Sequence, residues 1–435
     1  MFYSTNNPKS KTSFSEAVLQ GIAPDGGLFM PYSFPVLSKE FFASVHRLSF
    51  REMSFEVART FLGGAISDPD LEKIVDEALE MDAPLVKVSP SVYALELFHG
   101  PTLAFKDFGA RFLARTMAYL TRNSEREITV LVATSGDTGS AVAQGFYGVP
   151  GVKVCLLYPS GKVSHIQEQQ LTTLGGNITT LEVEGTFDDC QRMVKEAFAD
   201  RELASKKQLT SANSINIARL LPQMFYYFYA YSQLEDRQRP LVFSVPSGNF
   251  GNLTAGLFAW KMGLPVKRFI AATNRNDVVP EYLKEGRYRA RPSESTISNA
   301  MDVGAPSNFA RMVALFNNEL AAFRAIISGY SFTDEETRAC IRDVYDRQGY
   351  VLDPHGAVAF AGLRSYMEEN RELNGVFLET AHPAKFRDTV EEILQMEIPV
   401  PGPLAICLDK PKKSIRIKSG LEELKEVLLA SGENA

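Results

Sequence analysis

A lysine stands inside an otherwise apolar run in the first third of the chain. Lys106 lies within the segment HGPTLAFKDFG, residues 99–109, between Phe105 and Phe108. Loss of water around an ammonium group favours the neutral amine, so burial among these side chains lowers the lysine pKa. A neutral amine can attack an aldehyde and form a Schiff base. The alternative, ordinary for an isolated lysine, is a surface helix from which the ammonium group extends into water.

A glycine-rich segment, TSGDTGS at residues 134–140, follows a predicted strand and opens a predicted helix. Backbone N–H groups at the start of a helix are unpaired and carry partial positive charge, so they bind anions such as a carboxylate. Gly136 and Gly139 allow the chain to approach a ligand closely, and the hydroxyls of Ser135 and Thr138 add donors. Such turns also serve only to cap helices, and this segment alone is equally compatible with either role.

A second glycine-rich segment, SGNFGN at residues 247–252, also lies between a predicted strand and a predicted helix. It lacks the Lys-Ser/Thr ending of a Walker A loop and does not fit the dinucleotide pattern, which disfavours nucleoside triphosphates and dinucleotides. A compact turn suits one phosphate, held by successive backbone N–H groups and by Asn249 and Asn252. An ordinary turn is the alternative. A reactive lysine, a carboxylate site and a single-phosphate site together predict pyridoxal phosphate with an amino-acid substrate.

The elements that position these segments alternate between apolar strands and helices. Strands are predicted at residues 93–98, 128–133, 152–158, 178–183, 240–245, 268–272 and 375–379. Helices are predicted between them, among others at residues 140–147, 167–173 and 187–199, and a charged surface helix at 421–429. Continuous apolar strands alternating with helices predict an α/β fold with two mostly parallel sheets. Residues 1–84 are predicted to form a mixed, mainly helical unit.

Length and composition limit the remaining possibilities. The chain has 435 residues, more than one hydrophobic core supports, so two or three domains are expected. Its 46 basic and 52 acidic residues give a net charge of -6, which offers no reason to expect nucleic-acid binding. Four scattered cysteines and no histidine pair at ligand spacing predict neither disulfides nor a metal. With no membrane-spanning run and no signal sequence, a cytoplasmic location is expected.

Five segments of the chain resemble those of the threonine synthase family and occur in that family's order. They are residues 99–107, 134–139, 211–216, 247–252 and 380–386. Threonine synthases belong to the tryptophan-synthase-β-like, fold-type II pyridoxal-phosphate enzymes, and the resemblance extends over nearly the whole chain. It implies an N-terminal unit at 1–84 and a catalytic region at 85–435. That region would have two mostly parallel α/β lobes, the smaller at roughly 106–230, with the cofactor between them.

The resemblance also implies roles for individual residues. Lys106 would bind pyridoxal 5'-phosphate as a Schiff base and then move protons, and the other residues implied to hold the cofactor are Gly248, Asn249, Phe250, Gly251, Asn252 and, at the pyridine nitrogen, Thr380. The residues implied to bind substrate are, at its carboxylate, Ser135, Gly136, Asp137, Thr138 and Gly139 and, at its phosphate, Asn213, Ser214, Arg219 and Lys385. Arg219 also fits the polar face of an ordinary helix. Many relatives have Asn in place of Asp137, and a carboxylate beside the cofactor's phenolic oxygen repels a phenolate unless it is protonated.

The implied reaction converts O-phospho-L-homoserine and water to L-threonine and phosphate, by elimination of the γ-phosphate and hydration at Cβ. One alternative is a sister phospho-lyase that releases phosphate from O-phosphohomoserine or O-phosphothreonine and gives 2-oxobutyrate and ammonia. Another is a non-catalytic amino-acid-binding protein, against which Lys106 argues because binding alone needs no Schiff base. Both a monomer and a homodimer are compatible with the sequence.

Overall fold

The computed structural model describes residues 1–124 and 126–430. The strands are β1 Phe2–Ser4, β2 Asn7–Thr12, β3 Phe29–Pro31, β4 Leu85–Ser89, β5 Val92–Glu96, β6 Ile128–Ala133, β7 Val152–Pro159, β8 Ile178–Glu184, β9 Gln208–Ser211, β10 Leu241–Pro246, β11 Val266–Thr273, β12 Ile327–Ser331, β13 Asn374–Glu379 and β14 Ile415–Lys418. The first α-helices are α1 Phe14–Gln20, α2 Lys39–Ser44, α3 Phe50–Leu62, α4 Asp68–Ala78, α5 Lys106–Thr121, α6 Asp137–Phe146, α7 His165–Thr172, α8 Phe187–Ala199, α9 Arg201–Lys206 and α10 Ile217–Leu220. The remaining α-helices are α11 Gln223–Gln233, α12 Gly251–Lys261, α13 Val278–Glu285, α14 Phe309–Leu315, α15 Leu320–Ile326, α16 Asp334–Gln348, α17 Pro354–Glu369, α18 Arg387–Leu394, α19 Gly402–Leu408 and α20 Leu421–Ala430. Short 3-10 helices cover Val45–Arg47, Asn299–Met301 and Pro383–Phe386.

Local sequence explains where several helices begin. A capping box opens α1, α3, α7, α8 and α16: a Ser or Thr side chain accepts from a backbone N–H in the first turn, and the side chain three residues later accepts from the capping residue. These bonds satisfy donors that the helix itself leaves unpaired. In the described residues, no helix is long and apolar enough to cross a bilayer.

Two sheets form the cores of the two lobes. The larger has the strand order β12-β11-β10-β13-β5-β4, and its strands run parallel except for the β4–β5 pair. The smaller has the order β14-β8-β7-β6-β9 and is parallel throughout. Every residue of β6, β10 and β13 is buried, as expected for parallel strands covered by helices on both faces.

The N-terminal unit combines α1 to α4 with a small antiparallel sheet of order β2-β1-β3. It shares a continuous hydrophobic core with both lobes, to which Phe14, Met53 and Leu71 contribute. The unit therefore supports the catalytic region through shared packing.

The structure confirms the predicted α/β class, the two mostly parallel sheets and the mainly helical N-terminal unit. Strand β6 and helix α8 have the predicted bounds. Strands β4, β9, β12 and β14 of the two large sheets were not predicted from the sequence, and neither were the three strands of the N-terminal unit. Strand β14 lies in the basic segment near the C-terminus and pairs with β8 at the edge of the smaller sheet. Only Ile417 of this strand is buried, so its composition is that of a surface segment.

Candidate active site

Lys106 lies where the larger sheet meets the smaller lobe. The chain leaves β5, and Lys106 is the first residue of α5. The Phe105 N–H donates to the Thr380 carbonyl over 2.9 Å, which fixes the lysine beside the end of β13. Its side chain is only 16% exposed, so the alternative of a lysine extended from a surface helix is wrong.

A buried carboxylate, that of Asp137, contacts the amines of both Lys106 and Lys385. Asp137 Oδ2 lies 3.7 Å from Lys106 Nζ, while Asp137 Oδ1 lies 2.9 Å from Lys385 Nζ and accepts from Gln167 over 3.1 Å. Burial lowers the pKa of the Lys106 amine; Asp137 opposes the shift, and Lys385 and Arg219 reinforce it. Burial raises the pKa of the Asp137 carboxyl, but the two amines outweigh it and hold that pKa well below its usual range. Asp137 is therefore ionised.

The loop predicted to bind the substrate carboxylate follows β6 and opens α6. Thr134 Oγ1 accepts from the N–H groups of Gly136 over 3.0 Å and Gly139 over 2.8 Å. These two glycines therefore supply conformation rather than free donors, and Gly136 has a φ of 138° that favours glycine. Within the described chain, the N–H groups of Ser135, Asp137 and Thr138 make no hydrogen bond.

The loop predicted to bind the cofactor phosphate follows β10 and opens α12. The five successive N–H groups of Gly248 to Asn252 have no acceptor among residues 1–124 and 126–430. Phe250 has a left-handed backbone with a φ of 59°, an uncommon conformation for this residue type that directs the loop into the helix. Such a row of donors at the start of a helix fits one phosphate group.

The side chains of this loop have structural partners. Asn249 Nδ2 donates to Ser214 Oγ over 2.6 Å, and Asn252 Nδ2 donates to the Pro246 carbonyl over 2.8 Å. A Cβ on Gly248 would lie 2.7 Å from Met301 Cα, so only glycine fits there. Of the two kinds of donor expected from the sequence, the backbone N–H groups are unpaired within the described chain, whereas the amides of Asn249 and Asn252 already donate to other residues.

Three of the four residues predicted to bind the substrate phosphate, Asn213, Ser214 and Arg219, follow β9. Arg219 is buried, and its guanidinium donates to the Ala212 carbonyl. Burial lowers the pKa of Arg219 to about 10, with Asp107 opposing the shift, so it stays charged at neutral pH. The alternative of an exposed helical arginine is wrong. Among the described residues, Arg219 Nε and Asn213 Oδ1 are buried without a partner, which leaves a donor and an acceptor for a ligand.

Thr380, the residue predicted at the pyridine nitrogen, directly follows β13, and its carbonyl accepts from the Phe105 N–H next to Lys106. It is buried, and its hydroxyl makes no hydrogen bond to the part of the chain that the structure describes. The adjacent Ala381 forms an isolated bridge with Ala104. Lys385, predicted as a phosphate ligand, instead uses its amine to contact Asp137 and to donate to the Thr102 carbonyl over 2.8 Å.

Sequence reasoning missed Arg311, a fully buried cation on α14. It donates to the Phe29 carbonyl over 3.1 Å, to the Ser214 carbonyl over 3.2 Å and to the Ile215 carbonyl over 2.6 Å. It also donates to Asn308 Oδ1 over 2.8 Å, and Asn308 Nδ2 donates to the Asn249 carbonyl over 3.1 Å. Arg311 thus connects the N-terminal unit with the two loops predicted to bind phosphate, residues 211–216 and 247–252. Three of its four acceptors are backbone carbonyls, which leave no signal in the sequence.

Comparison with known families gives matches along the whole chain. A profile described as pyridoxal-phosphate dependent enzyme matches residues 79–377. Profiles described as threonine synthase N terminus and as threonine synthase, C-terminal match residues 1–79 and 356–428. The threonine synthase of Serratia marcescens is 44% identical over 428 residues, which are 98% of each chain. That of Escherichia coli (strain K12) is 45% identical over 98% of this chain and 99% of its own.

Solved structures agree with these matches. The crystal structure of threonine synthase from Escherichia coli superposes with a TM-score of 0.93 at 44% identity, covering 99% of both chains. The PLP-bound threonine synthase from Brucella melitensis also gives a TM-score of 0.93, at 35% identity over 99% of both chains. With its sequence and fold matched over nearly their whole length, this chain belongs to the threonine synthase family of pyridoxal-phosphate-dependent enzymes.

Proposed function

We propose that this chain converts O-phospho-L-homoserine and water to L-threonine and phosphate in the cytoplasm. One observation carries the assignment of residues: contacts between distant parts of the chain join three of the five segments around Lys106 and join the other two, 211–216 and 247–252, to each other. Phe105 contacts Thr380, Lys106 contacts Asp137, and Asn249 contacts Ser214. The relatives reported above are named threonine synthases, so the alternative phospho-lyase is not favoured.

The residues present fit pyridoxal phosphate, because Lys385 offsets the charge that the ionised Asp137 would otherwise place beside the cofactor's phenolic oxygen. Lys106 would hold it covalently, the free N–H groups from Gly248 to Asn252 would bind its phosphate, and the Thr380 hydroxyl would face its ring nitrogen. A neutral hydroxyl, unlike a carboxylate, does not keep that nitrogen protonated. When bound, the cofactor supplies a ring that takes up the negative charge left by removal of a proton next to the substrate's amino group.

Lys106 is suited to move protons at the substrate. Its amine must be neutral to accept a proton, and burial lowers its pKa. We assign to it the removal of the proton from Cα. The N–H groups of Ser135, Asp137 and Thr138 would hold the substrate carboxylate, which fixes the Cα–H bond relative to the amine.

The residues Asn213, Ser214 and Arg219 would hold the phosphate of the substrate. This phosphate leaves from Cγ after a proton is removed at Cβ. Arg219 retains a buried positive charge and an unpartnered Nε, while Ser214 and Asn213 lie on the loop beside it. A fixed cation in a water-poor site stabilises the departing anion more than it does in water. A proton at Cγ and a water molecule at Cβ then complete threonine.

The test is identification of the product from O-phospho-L-homoserine. We expect equal amounts of threonine and phosphate from the wild-type protein, whereas 2-oxobutyrate and ammonia without threonine would identify a phospho-lyase. Lys106→Ala should abolish the absorbance band of the Schiff base and the fixation of the cofactor by borohydride. Lys153→Ala, at a partly exposed ion pair with Glu127 in the smaller lobe, is the control that should change neither.

A further inference from the structure

A second lysine shares the carboxylate that faces Lys106. Lys385 Nζ lies 2.9 Å from Asp137 Oδ1, whereas Lys106 Nζ lies 3.7 Å from Oδ2. The first distance is that of a charge-assisted hydrogen bond, and the second is longer than one. Asp137 therefore pairs with Lys385 in preference to Lys106.

The position of Lys385 is fixed. Its side chain is 0% exposed, and its amine also donates to the Thr102 carbonyl over 2.8 Å. Gln167 donates to the same oxygen of Asp137 that Lys385 contacts. Two donors thus hold one side of the carboxylate at a distance from Lys106.

The balance of charge among Lys385, Asp137 and Lys106 favours a neutral Lys106. With Lys385 and Asp137 both charged, the pair is neutral, and a neutral Lys106 leaves the buried trio without net charge. An ammonium at Lys106 would add an unbalanced buried charge, which is costly in a low-dielectric site. Without Lys385, the carboxylate would instead find its counterion in Lys106 and hold it as an ammonium.

We infer that Lys385 is a positioning residue that neutralises Asp137 and so keeps the Lys106 amine free to react. This assignment replaces the role in substrate-phosphate binding that the sequence suggested for Lys385, since two of its three N–H donors already have partners. Its catalytic meaning rests on the proposed function. The electrostatic relation between the three residues does not, and it can be measured without substrate or cofactor.

The other charged groups near Lys106 act in the same direction or are already paired. Arg219, from α10, also disfavours a positive charge on Lys106. Asp107, the next residue on α5, accepts from the Thr102 N–H over 2.9 Å and from its hydroxyl over 2.7 Å. Asp137 is therefore the carboxylate that sets the state of Lys106, and Lys385 is its counterion.

The experiment measures the reactivity of Lys106 in the cofactor-free protein. Acetic anhydride modifies only neutral amines, so mass spectrometry of the Lys106 peptide over a pH series gives the midpoint of its titration. Lys385→Met should raise that midpoint by about one pH unit or more, a roughly tenfold loss of labelling at a fixed pH below it. Lys385→Arg should keep the wild-type midpoint, because the positive charge remains.

Two further variants complete the thermodynamic cycle. Asp137→Asn should lower the midpoint, and the double variant Lys385→Met/Asp137→Asn should return it to the wild-type value or below. The double variant buries neither charge, so it also provides the answer if Lys385→Met does not fold. Lys425→Met is the matched control, because Lys425 pairs with Asp200 and Glu202 away from the site.

An unchanged Lys106 midpoint in Lys385→Met would overturn the inference. If that variant also raised KM for O-phospho-L-homoserine, Lys385 would be a phosphate ligand. The product assay is separate and uses the wild-type protein. If the wild-type protein made no threonine while Lys385→Met still shifted the Lys106 midpoint, the electrostatic relation would be supported and the proposed function refuted.

Discussion

Replacement of Arg311 by methionine tests how the loops at residues 211–216 and 247–252 are held together. The guanidinium donates four hydrogen bonds, to the carbonyls of Phe29, Ser214 and Ile215 and to Asn308 Oδ1. Methionine has similar length and fills the space without a donor. The variant therefore removes the support of these acceptors while leaving the packing nearly intact.

The expected cost is the balance of two opposing effects. A buried acceptor that loses its donor costs about 1 kcal/mol at the lower end of the usual range, so four acceptors cost about 4 kcal/mol. Against this, burial lowers the pKa of Arg311 to about 9, which shows that the buried cation is itself unfavourable. If removal of that penalty recovers roughly half of the cost, the net loss of stability is about 2 kcal/mol.

Urea unfolding followed by fluorescence measures this loss, because the chain has one tryptophan, Trp260, on the helix that the cofactor loop opens. Arg324→Met is the matched control: Arg324 also donates to two backbone carbonyls, but at an exposed position, so the cost should stay within about 0.5 kcal/mol. We also expect Arg311→Met to weaken the binding of pyridoxal phosphate about tenfold, equivalent to about 1.4 kcal/mol. An Arg311→Met protein as stable as the control variant, with unchanged cofactor affinity, would refute the reasoning.

Two further changes have defined outcomes. Gly248→Ala places a Cβ 2.7 Å from Met301 Cα and 2.8 Å from the Ala300 carbonyl, whereas Gly251→Ala meets nothing closer than 3.5 Å. We therefore expect Gly248→Ala to destabilise the cofactor-free protein by about 1–3 kcal/mol and Gly251→Ala by much less, measured by urea unfolding; equal losses would contradict the geometry. Burial raises the pKa of Asp302 to about 6, so its contribution to stability is present below about pH 4 and is lost as the pH rises through 6. Asp302→Asn should remove this contribution, about 1–2 kcal/mol after allowance for partial exposure, and a wild-type pH dependence of the unfolding midpoint in that variant would show that Asp302 titrates normally.

The sequence was sufficient where function depends on backbone turns and on strand order. The glycine-rich turns at residues 134–140 and 247–252 lie at the carboxyl ends of β6 and β10, as predicted, because an apolar strand followed by glycine and a helix has few other structures. Lys106 was identified because an amine among aromatic residues is chemically unusual. These features leave a local signal in residue type and spacing.

The residues that contact Lys106 and the two glycine-rich turns have no comparable local signal in the sequence. Arg311 serves the site through backbone carbonyls that any residue could provide. Lys385 is distant from Asp137 in sequence, so the ionised state of that carboxylate follows only from the folded arrangement. The Thr134 hydroxyl accepts from the N–H groups of Gly136 and Gly139, which the sequence alone predicts to bind substrate. In each case the deciding contact is between segments that only the tertiary fold brings together.

The free donors of the site connect its function to its stability. Among residues 1–124 and 126–430, the five N–H groups from Gly248 to Asn252 and the Nε of Arg219 have no acceptor, which is unfavourable in the absence of ligands. Hydrogen bonds between loops hold these donors in place. Asn249 is bonded to Ser214 and Ser307, and Arg311 is also bonded to Ser214. Because the donors are held before a ligand arrives, binding of phosphate groups does not have to order the loops. Each bound anion then stabilises the folded protein by an amount that grows with the logarithm of its affinity. A cofactor held through the N–H groups of Gly248 to Asn252 should therefore protect the larger lobe more than the N-terminal unit.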